Sequence, residues 1–184
     1  MKLKKTEKVV IAGQTGSGKT ELAKYIAKQY AKAGYDVWFI DPHREVRLKN
    51  CTMFYPHEYA ATLRIFSRAF NEGNKVLVID EAQNYFRRIP APLSGIQAKI
   101  VNQGRHKGLA LIFVTPRVQQ LHSDVLAQAS TYFLFRMVFP RDLEYLSDFV
   151  GEAAFLLPKL RPYWFLVVKS DGSIRIHKPI SLNT

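Results

Sequence analysis

Residues 13–20 combine glycines, a lysine and a threonine at spacings that suit the binding of a triphosphate. The loop reads Gly13, Gln14, Thr15, Gly16, Ser17, Gly18, Lys19 and Thr20. Its glycines let the backbone turn round a phosphate with the N–H groups pointing inward, and a helix starting at Lys19 would add the positive end of its dipole. We expect Lys19 to reach the β- and γ-phosphates and the Thr20 hydroxyl to ligate Mg²⁺. The sequence thus predicts a P-loop that binds ATP and Mg²⁺.

The surroundings of the loop support this prediction. An apolar, strand-like run at 9–12 precedes it, and a helical pattern over 19–33 follows and stops at Gly34. The alternative, a chance glycine-rich loop, would not require a strand before it and a helix after it.

A pair of carboxylates at Asp80 and Glu81 closes a second apolar run, residues 75–79. An acid at the carboxyl end of a buried strand lies where open α/β sheets bind ligands, so Asp80 can complete the Mg²⁺ shell opposite Thr20. Glu81 is then free to polarise a water molecule in line with the γ-phosphate. The alternative is a solvated acidic turn. Hydrolysis needs such a carboxylate, whereas transfer to a bound acceptor does not.

The elements that must position these residues alternate along the chain. Near-continuous apolar runs predict strands buried on both faces of a parallel sheet, at 8–12, 36–40, 75–79, 109–114 and 131–135. Helical patterns separate them, at 19–33, 57–72, 93–106, 118–128 and 140–150. The sequence therefore predicts an α/β fold with helices on both faces of a mainly parallel sheet.

The carboxyl-terminal part differs from this alternation. Residues 163–168 and 173–178 flank an Asp171–Gly172 turn and predict a β-hairpin. We expect a single domain over 1–184, with a core at about 8–150 and a hairpin extension at about 153–184.

The chain is strongly basic. It carries 27 Lys and Arg residues against 15 Asp and Glu, a formal charge of +12. Such a balance is typical of a protein that meets a polyanion, most often nucleic acid, although a solvated basic surface is the alternative. The single cysteine, Cys51, excludes an internal disulfide, and no histidine pair has zinc-ligand spacing. No apolar run approaches the ~20 residues that span a bilayer, so we expect a cytoplasmic protein without a membrane partner.

The segment 102–117 is the most specific part of the sequence. It contains Gly104-Arg105, Gly108 and then an apolar strand that ends in Thr115; residues 121–129 and 133–136 continue the pattern. This arrangement resembles the FtsK/HerA superfamily of DNA-pumping ATPases, as do Asp41-Pro42-His43 and the stretch 142–146. The resemblance covers residues 8 to about 150.

The resemblance implies a RecA-like, additional-strand P-loop fold in which the five strands take the order 5-1-4-3-2. It also implies a homo-oligomeric ring, a hexamer, round double-stranded DNA. In such rings an arginine from one subunit reaches the γ-phosphate held by its neighbour, and the matching residue is Arg105. A contact with a DNA phosphate, or plain exposure to solvent, is the alternative for Arg105.

The chain departs from the family's pattern after Thr115. The family places a glutamine there as a γ-phosphate sensor, whereas this chain has Pro116, which offers neither a side-chain donor nor an amide. Thr115 could still donate to the phosphate or to the attacking water. Gln119 or Gln120 could replace the sensor, or could simply be solvated.

Within the superfamily, a bare core of this size most resembles the viral genome-packaging ATPases. That resemblance implies a capsid-vertex partner and action in the host cytoplasm. The alternatives are a minimal HerA-like translocase or helicase, a zonula-occludens-toxin-like phage assembly ATPase, a small P-loop kinase, and a non-catalytic assembly protein that uses ATP to build a ring.

Several basic and aromatic residues could either contact a partner or have no functional contact. The basic residues of the loops could line a DNA channel or be solvated: Arg87, Arg88, His106, Lys107 and Arg117. The aromatic pair Tyr85-Phe86 could contact DNA or a neighbouring subunit, or could pack in the core. The aromatic run 163–165 could pack along an edge strand or form a subunit or capsid interface.

Overall fold

The apolar runs predicted as strands all belong to one sheet in a computed structural model that describes residues 6–180. The strands are β1 (Lys8–Ala12), β2 (Asp36–Ile40), β3 (Thr52–Phe54), β4 (Lys75–Ile79), β5 (Ala110–Thr115), β6 (Thr131–Phe135), β7 (Phe165–Lys169) and β8 (Ile174–His177). Their order across the sheet is β3-β2-β4-β5-β1-β6-β7-β8.

The five predicted strands take the predicted order. Strands β2, β4, β5, β1 and β6 are adjacent and parallel, which is the order 5-1-4-3-2 read from the other edge. The sheet adds β3 in parallel at one edge and the antiparallel β7–β8 hairpin at the other. The α/β P-loop class with a mainly parallel sheet is confirmed.

Five helices cover the two faces of the sheet. They are α1 (Lys19–Lys32), α2 (Tyr59–Glu72), α3 (Gly95–Gln103), α4 (Ser123–Ala127) and α5 (Pro140–Val150). Helix α1 packs on one face, and the other four helices contribute to the core on the opposite face.

The alternation of side chains along β1 shows why the strand is apolar throughout. Val9 and Ile11 join the core beneath α1, while Val10 and Ala12 join the core on the other face, and all four are fully buried. A central strand with helices on both faces has no solvent side. This double burial fixes the position of the loop that follows Ala12.

The predicted hairpin is present. Its turn is closed by a hydrogen bond from the Gly172 N–H to the Lys169 carbonyl at 2.9 Å, and Gly172 has the positive φ that such turns need. Register pairs Phe135 with Phe165, which brings the start of β7 next to the end of β6. The start of the hairpin therefore lies at the carboxyl ends of the parallel strands, where the P-loop follows β1. We call this end of the sheet the P-loop edge.

Three elements differ from the sequence prediction. Strand β3 was not predicted, because a three-residue, half-buried edge strand shows no periodicity. The helix predicted over 118–128 is instead a 3₁₀ turn at Val118–Gln120 and the short α4, since Leu121 and His122 are extended. The end of the helix predicted over 93–106 tightens into a 3₁₀ turn at Gly104–Lys107.

The segment between α5 and the hairpin is also helical in part. Residues Gly151–Lys159, which join α5 to the hairpin, form consecutive 3₁₀ turns. Within residues 6–180, none of the helices has the length and apolarity to cross a bilayer.

Candidate active site

The P-loop is held by close packing against the end of β6. Gly13 has φ +155°, and a Cβ built there would lie 2.6 Å from Cβ of Phe135. Any side chain at Gly13 would therefore push the loop away from β6. The Gln14 N–H donates to the Arg136 carbonyl at 3.1 Å, which fixes the loop to the residue after β6. Close packing and one backbone hydrogen bond thus pre-form the phosphate-binding turn.

Two polar side chains of the loop lie in its interior. Lys19 is only 8% exposed, and its Nζ donates to the Gln14 carbonyl at 3.0 Å. Burial lowers the pKa of Lys19, while the nearby charges of Asp80 and Glu81 oppose that shift. The Ser17 hydroxyl is also buried and lacks a hydrogen-bond partner within the described residues. An orphaned hydroxyl beside a buried ammonium is what a phosphate-binding loop presents before its ligand arrives.

Asp80 lies where the sequence predicted it, immediately after β4 and across the site from the P-loop lysine. Burial, together with the charges of Glu81 and Asp41, raises the pKa of Asp80 to about 6. Asp41 follows β2, the strand next to β4, and is 1% exposed. Its carboxylate oxygens accept the His43 and Val46 backbone N–H groups, at 3.1 and 2.7 Å. Asp41 therefore contributes fixed negative charge to a site that favours a cation.

The residues at this edge fit Mg²⁺ with a nucleotide. Mg²⁺ in such sites is held by one or two protein groups, with substrate phosphates and water filling the remaining positions. Asp80 offers a buried carboxylate of raised pKa, which a cation would stabilise in its charged form. Thr20, in the first turn of α1, offers a hydroxyl. Within residues 6–180, no group of three or more His, Cys, Asp and Glu side chains could hold a metal.

Glu81 occupies a strained backbone conformation. Its φ and ψ are 51° and 44°, the left-handed region that non-glycine residues rarely adopt, at a cost of about 1–3 kcal/mol. Hydrogen bonds hold it there: the Glu81 N–H donates to Asp80 Oδ1 at 3.0 Å, and the Asn84 N–H donates to the Glu81 carbonyl at 2.9 Å. The turn thus aims the Glu81 side chain in a direction that a relaxed turn would not give.

Gln83 connects Glu81 to Thr115. Its Nε2 donates to Glu81 Oε2 at 2.5 Å, and its Oε1 accepts the Thr115 hydroxyl at 2.8 Å. Gln83 and Thr115 are 7% and 0% exposed, so the connection is shielded from water. The threonine fixes the orientation of the amide so that its NH₂ group faces the carboxylate.

This connection bears on the role predicted for Thr115. A hydroxyl has one proton, and here Thr115 gives it to Gln83 and accepts the Arg117 backbone N–H at 3.2 Å. The Thr115 proton is therefore engaged by Gln83 in this structure. Donation from Thr115 to a phosphate or to the attacking water stays a prediction.

Arg105 lies at the opposite end of the sheet from the P-loop of its own chain. It belongs to the exposed turn before β5, whereas the P-loop follows the carboxyl end of β1, and the two strands are parallel. Arg105 is close enough to Lys8, at the start of β1, to lower the pKa of that lysine after the larger effect of burial. Five residues of extended strand, about 16 Å, therefore separate Arg105 from its own phosphate loop.

The loops after β4 and β5 carry basic residues on the P-loop edge. The Arg88 N–H donates to the Gln120 carbonyl at 2.7 Å, and Arg87 forms a β-bridge with Leu121. The Arg117 guanidinium lies 4.5 Å from the centre of the Phe139 ring. These three arginines thus share one edge of the sheet.

His106 and Lys107 do not lie with the other basic loop residues, Arg87, Arg88 and Arg117. Both belong to the turn that precedes β5, so they accompany Arg105 at the opposite edge. Parallel strands send the residues before a strand and those after it to different ends of the sheet.

Gln119 and Gln120, the candidate γ-phosphate sensors, each form a hydrogen bond through the backbone. The Gln119 N–H donates to Asp142 Oδ1 at 3.0 Å, and Gln120 accepts the Arg88 N–H. The glutamine that reaches the site is Gln83, which sequence reasoning missed. Its position two residues after Glu81 was the available signal.

Three comparisons relate this chain to known proteins. A family profile described as Novel STAND NTPase 3 matches residues 1–55, the segment that contains the P-loop. The probable DNA double-strand break repair helicase HerA of Methanocaldococcus jannaschii is 29% identical over 131 residues. That match takes in 67% of this chain and 24% of the helicase, so the chain spans about a quarter of this relative.

Two solved structures of viral packaging proteins match almost the whole chain. The genome packaging NTPase B204 of Sulfolobus turreted icosahedral virus 2, in complex with AMPPCP, is 26% identical with a TM-score of 0.81, covering 97% of this chain and 100% of that one. B204, the DNA-packaging ATPase of Sulfolobus turreted icosahedral virus, is 27% identical with a TM-score of 0.82, covering 94% and 97%. Together with the P-loop, the Asp80–Glu81 pair and the strand order, these likenesses support an FtsK/HerA-type P-loop ATPase close to the viral genome-packaging ATPases.

Proposed function

We propose that this chain is an ATP-hydrolysing motor subunit that moves double-stranded DNA, in viral genome packaging. Its likeness to the packaging protein B204 over nearly the full length of both chains supports packaging. A minimal HerA-like translocase is the second candidate, supported by the 29% identity to the helicase HerA. Both candidates share the same catalytic chemistry.

One observation carries the proposal of a ring. Each chain holds a P-loop at one end of its sheet and the exposed Arg105 turn at the other. A second copy that offers its Arg105 turn to the P-loop edge of the first would complete the site, and repetition of that head-to-tail contact closes a ring. Hydrolysis would then depend on the position of the neighbouring subunit.

The proposed chemistry uses residues at the P-loop edge. Lys19 and the loop N–H groups would hold the β- and γ-phosphates, and Thr20 with Asp80 would hold Mg²⁺, which would neutralise the phosphate charge. Glu81 accepts a proton from a water molecule while the water oxygen attacks the γ-phosphorus. The bond from the γ-phosphorus to the β–γ bridging oxygen breaks, and ADP is the leaving group. Gln83 positions the Glu81 carboxylate through the hydrogen bond from its Nε2.

Glu81→Gln should therefore bind Mg·ATP normally but lose about 10²–10⁴-fold in turnover, because the amide keeps the shape of the side chain and cannot accept the proton. Nucleotide binding and phosphate release are measured separately. Glu152→Gln, at an exposed glutamate in the 3₁₀ segment, serves as the matched control. Near-normal turnover in Glu81→Gln would assign water activation to another residue.

DNA binding should be electrostatic and indifferent to sequence. A translocase must release each step of the duplex, so it should contact phosphates and read few base edges. The charge of +12 and the arginines of the P-loop edge, Arg87, Arg88 and Arg117, support such a surface.

The measurement is the affinity for two unrelated duplexes over a range of salt concentrations, together with phosphate release with and without DNA. We expect log affinity to fall linearly with log salt, equally for both duplexes, and DNA to stimulate phosphate release without any added acceptor. A flat salt dependence, or a strong preference for one duplex, would contradict a translocation channel. Turnover only with a small-molecule acceptor would indicate a kinase.

The oligomeric state, the capsid partner and the location of the protein are also part of this proposal. The sequence resemblance to viral packaging ATPases leads us to propose a hexameric ring, a capsid-vertex partner and action in the host cytoplasm. Reconstitution of DNA uptake into capsids, compared with duplex unwinding in their absence, distinguishes packaging from a HerA-like helicase.

A further inference from the structure

A partly open cavity of about 170 Å³ adjoins the start of α1. Eight residues line it: Gly18, Glu21, Leu22, Phe135, Tyr163, Phe165, Pro179 and Ile180. Most of these side chains are apolar or aromatic, and the cavity lies outside the Lys19, Asp80 and Glu81 cluster. The chemistry described above gives it no role.

Gly18 connects this cavity to the phosphate-binding loop. A Cβ built on Gly18 would lie 3.3 Å from Phe135 Cε1 and 3.4 Å from Tyr163 Cδ1, so two aromatic rings directly abut the loop. Gly18 also has φ +104°, which disfavours any side chain there. A nucleotide whose phosphates occupy the loop therefore has an apolar, aromatic-walled cavity next to it.

The aromatic walls of the cavity differ in burial. Phe135 is buried, and its ring centre lies 5.1 Å from that of Phe165. The His177 ring stacks on Phe165 at 5.5 Å, with 8° between the planes. This inner wall is fixed by packing between β6, β7 and β8.

Tyr163 forms the outer wall and is unusual in two ways. It is 57% exposed, and its φ of 64° places it in the left-handed region. A large aromatic residue in that conformation is costly to keep, and such strain often marks a ligand-binding position. The Trp164 N–H donates to the Arg161 carbonyl at 3.1 Å and closes the turn that presents Tyr163.

We propose that this cavity binds the base of the nucleotide by stacking, with Tyr163 as its outer face, and that it distinguishes weakly between bases. The inference rests on the proposed nucleotide hydrolysis and names the substrate class more closely. Every base has a π-face, so a stacking site tolerates all of them. Strong discrimination would need buried hydrogen-bonding groups aimed at the base edge.

The polar groups of the lining do not provide such recognition. The Glu21 carboxylate is half exposed and already accepts the Lys24 ammonium at 2.7 Å. The Tyr163 hydroxyl belongs to an exposed side chain and can act as donor or acceptor. Neither group favours one purine over the other.

The test measures equilibrium binding of ATP, GTP and inorganic tripolyphosphate, each with Mg²⁺. Tyr163→Gly removes the ring at a backbone conformation that suits glycine, so the fold should be kept. We expect ATP and GTP to bind about tenfold more weakly to Tyr163→Gly, whereas tripolyphosphate, which has no base, should bind as it does to the unaltered protein. Tyr163→Phe should retain the affinity. Phe155→Ala, at an aromatic residue 51% exposed outside the cavity, is the control.

Three results would overturn the inference. Unchanged ATP affinity in Tyr163→Gly would show that the base lies elsewhere, and an equal loss of tripolyphosphate would show that Tyr163 supports the loop rather than the base. A preference above about 100-fold between ATP and GTP in the unaltered protein would contradict recognition by stacking. If the unaltered protein bound neither ATP nor tripolyphosphate, the proposed function itself would fail, which is a distinct outcome.

Discussion

Lys19→Ala should reduce ATP turnover to less than a tenth of that of the unaltered protein and weaken ATP binding. Lys19 is the buried cation of the phosphate loop, 8% exposed and bonded to the Gln14 carbonyl. Alanine removes both the positive charge and the donor that should follow the γ-phosphate through the reaction. In a buried site that charge is poorly replaced by solvent.

The control is Lys24→Ala, one turn further along α1. Lys24 is partly exposed, and its ammonium pairs with Glu21 at 2.7 Å, so its loss should leave turnover nearly unchanged. Turnover and ATP binding are measured for both variants. If Lys19→Ala kept more than a tenth of the turnover, the assignment of the phosphate loop would be wrong.

Arg105→Ala should leave ATP binding by each subunit intact while lowering turnover in the assembled ring. An arginine that meets the charge developing on the transferred phosphoryl group is worth about 10³–10⁵ in rate. Arg105 is exposed at the end of the sheet remote from its own P-loop, so we expect it to act on the P-loop of a neighbour. Lys107→Ala, in the same turn, removes an equal charge and serves as the control.

Much of the fold could be predicted from the sequence because the central strands are buried on both faces. Such strands read as unbroken apolar runs, as in Val76 to Ile79, and their boundaries show clearly against the polar segments between them. Edge elements gave weaker signals. Strand β3 is three residues long and half-buried, and the predicted helix over 118–128 is interrupted where Leu121 becomes extended.

Some residues of the candidate site could likewise be predicted from the sequence, and others could not. The P-loop and the Asp80–Glu81 pair are each local in sequence, so spacing alone predicts them. The roles of Gln83 and Tyr163 depend on contacts between distant segments. Gln83 meets Thr115, 32 residues away, because β4 and β5 are neighbours. Tyr163 adjoins Gly18 because β7 pairs with β6 in the register that sets Phe165 beside Phe135.

If neighbouring subunits share each active site, as we propose, two variants that are inactive alone should restore activity when they are mixed. Arg105→Ala subunits keep an intact P-loop, and Lys19→Ala subunits keep an intact Arg105 turn. Mixed rings contain interfaces at which a sound P-loop faces a sound arginine, so a part of the ATP turnover should return. Light scattering with differently tagged subunits establishes that mixed rings form. Recovery of turnover in those rings is the predicted result, and its absence would contradict a site shared between subunits.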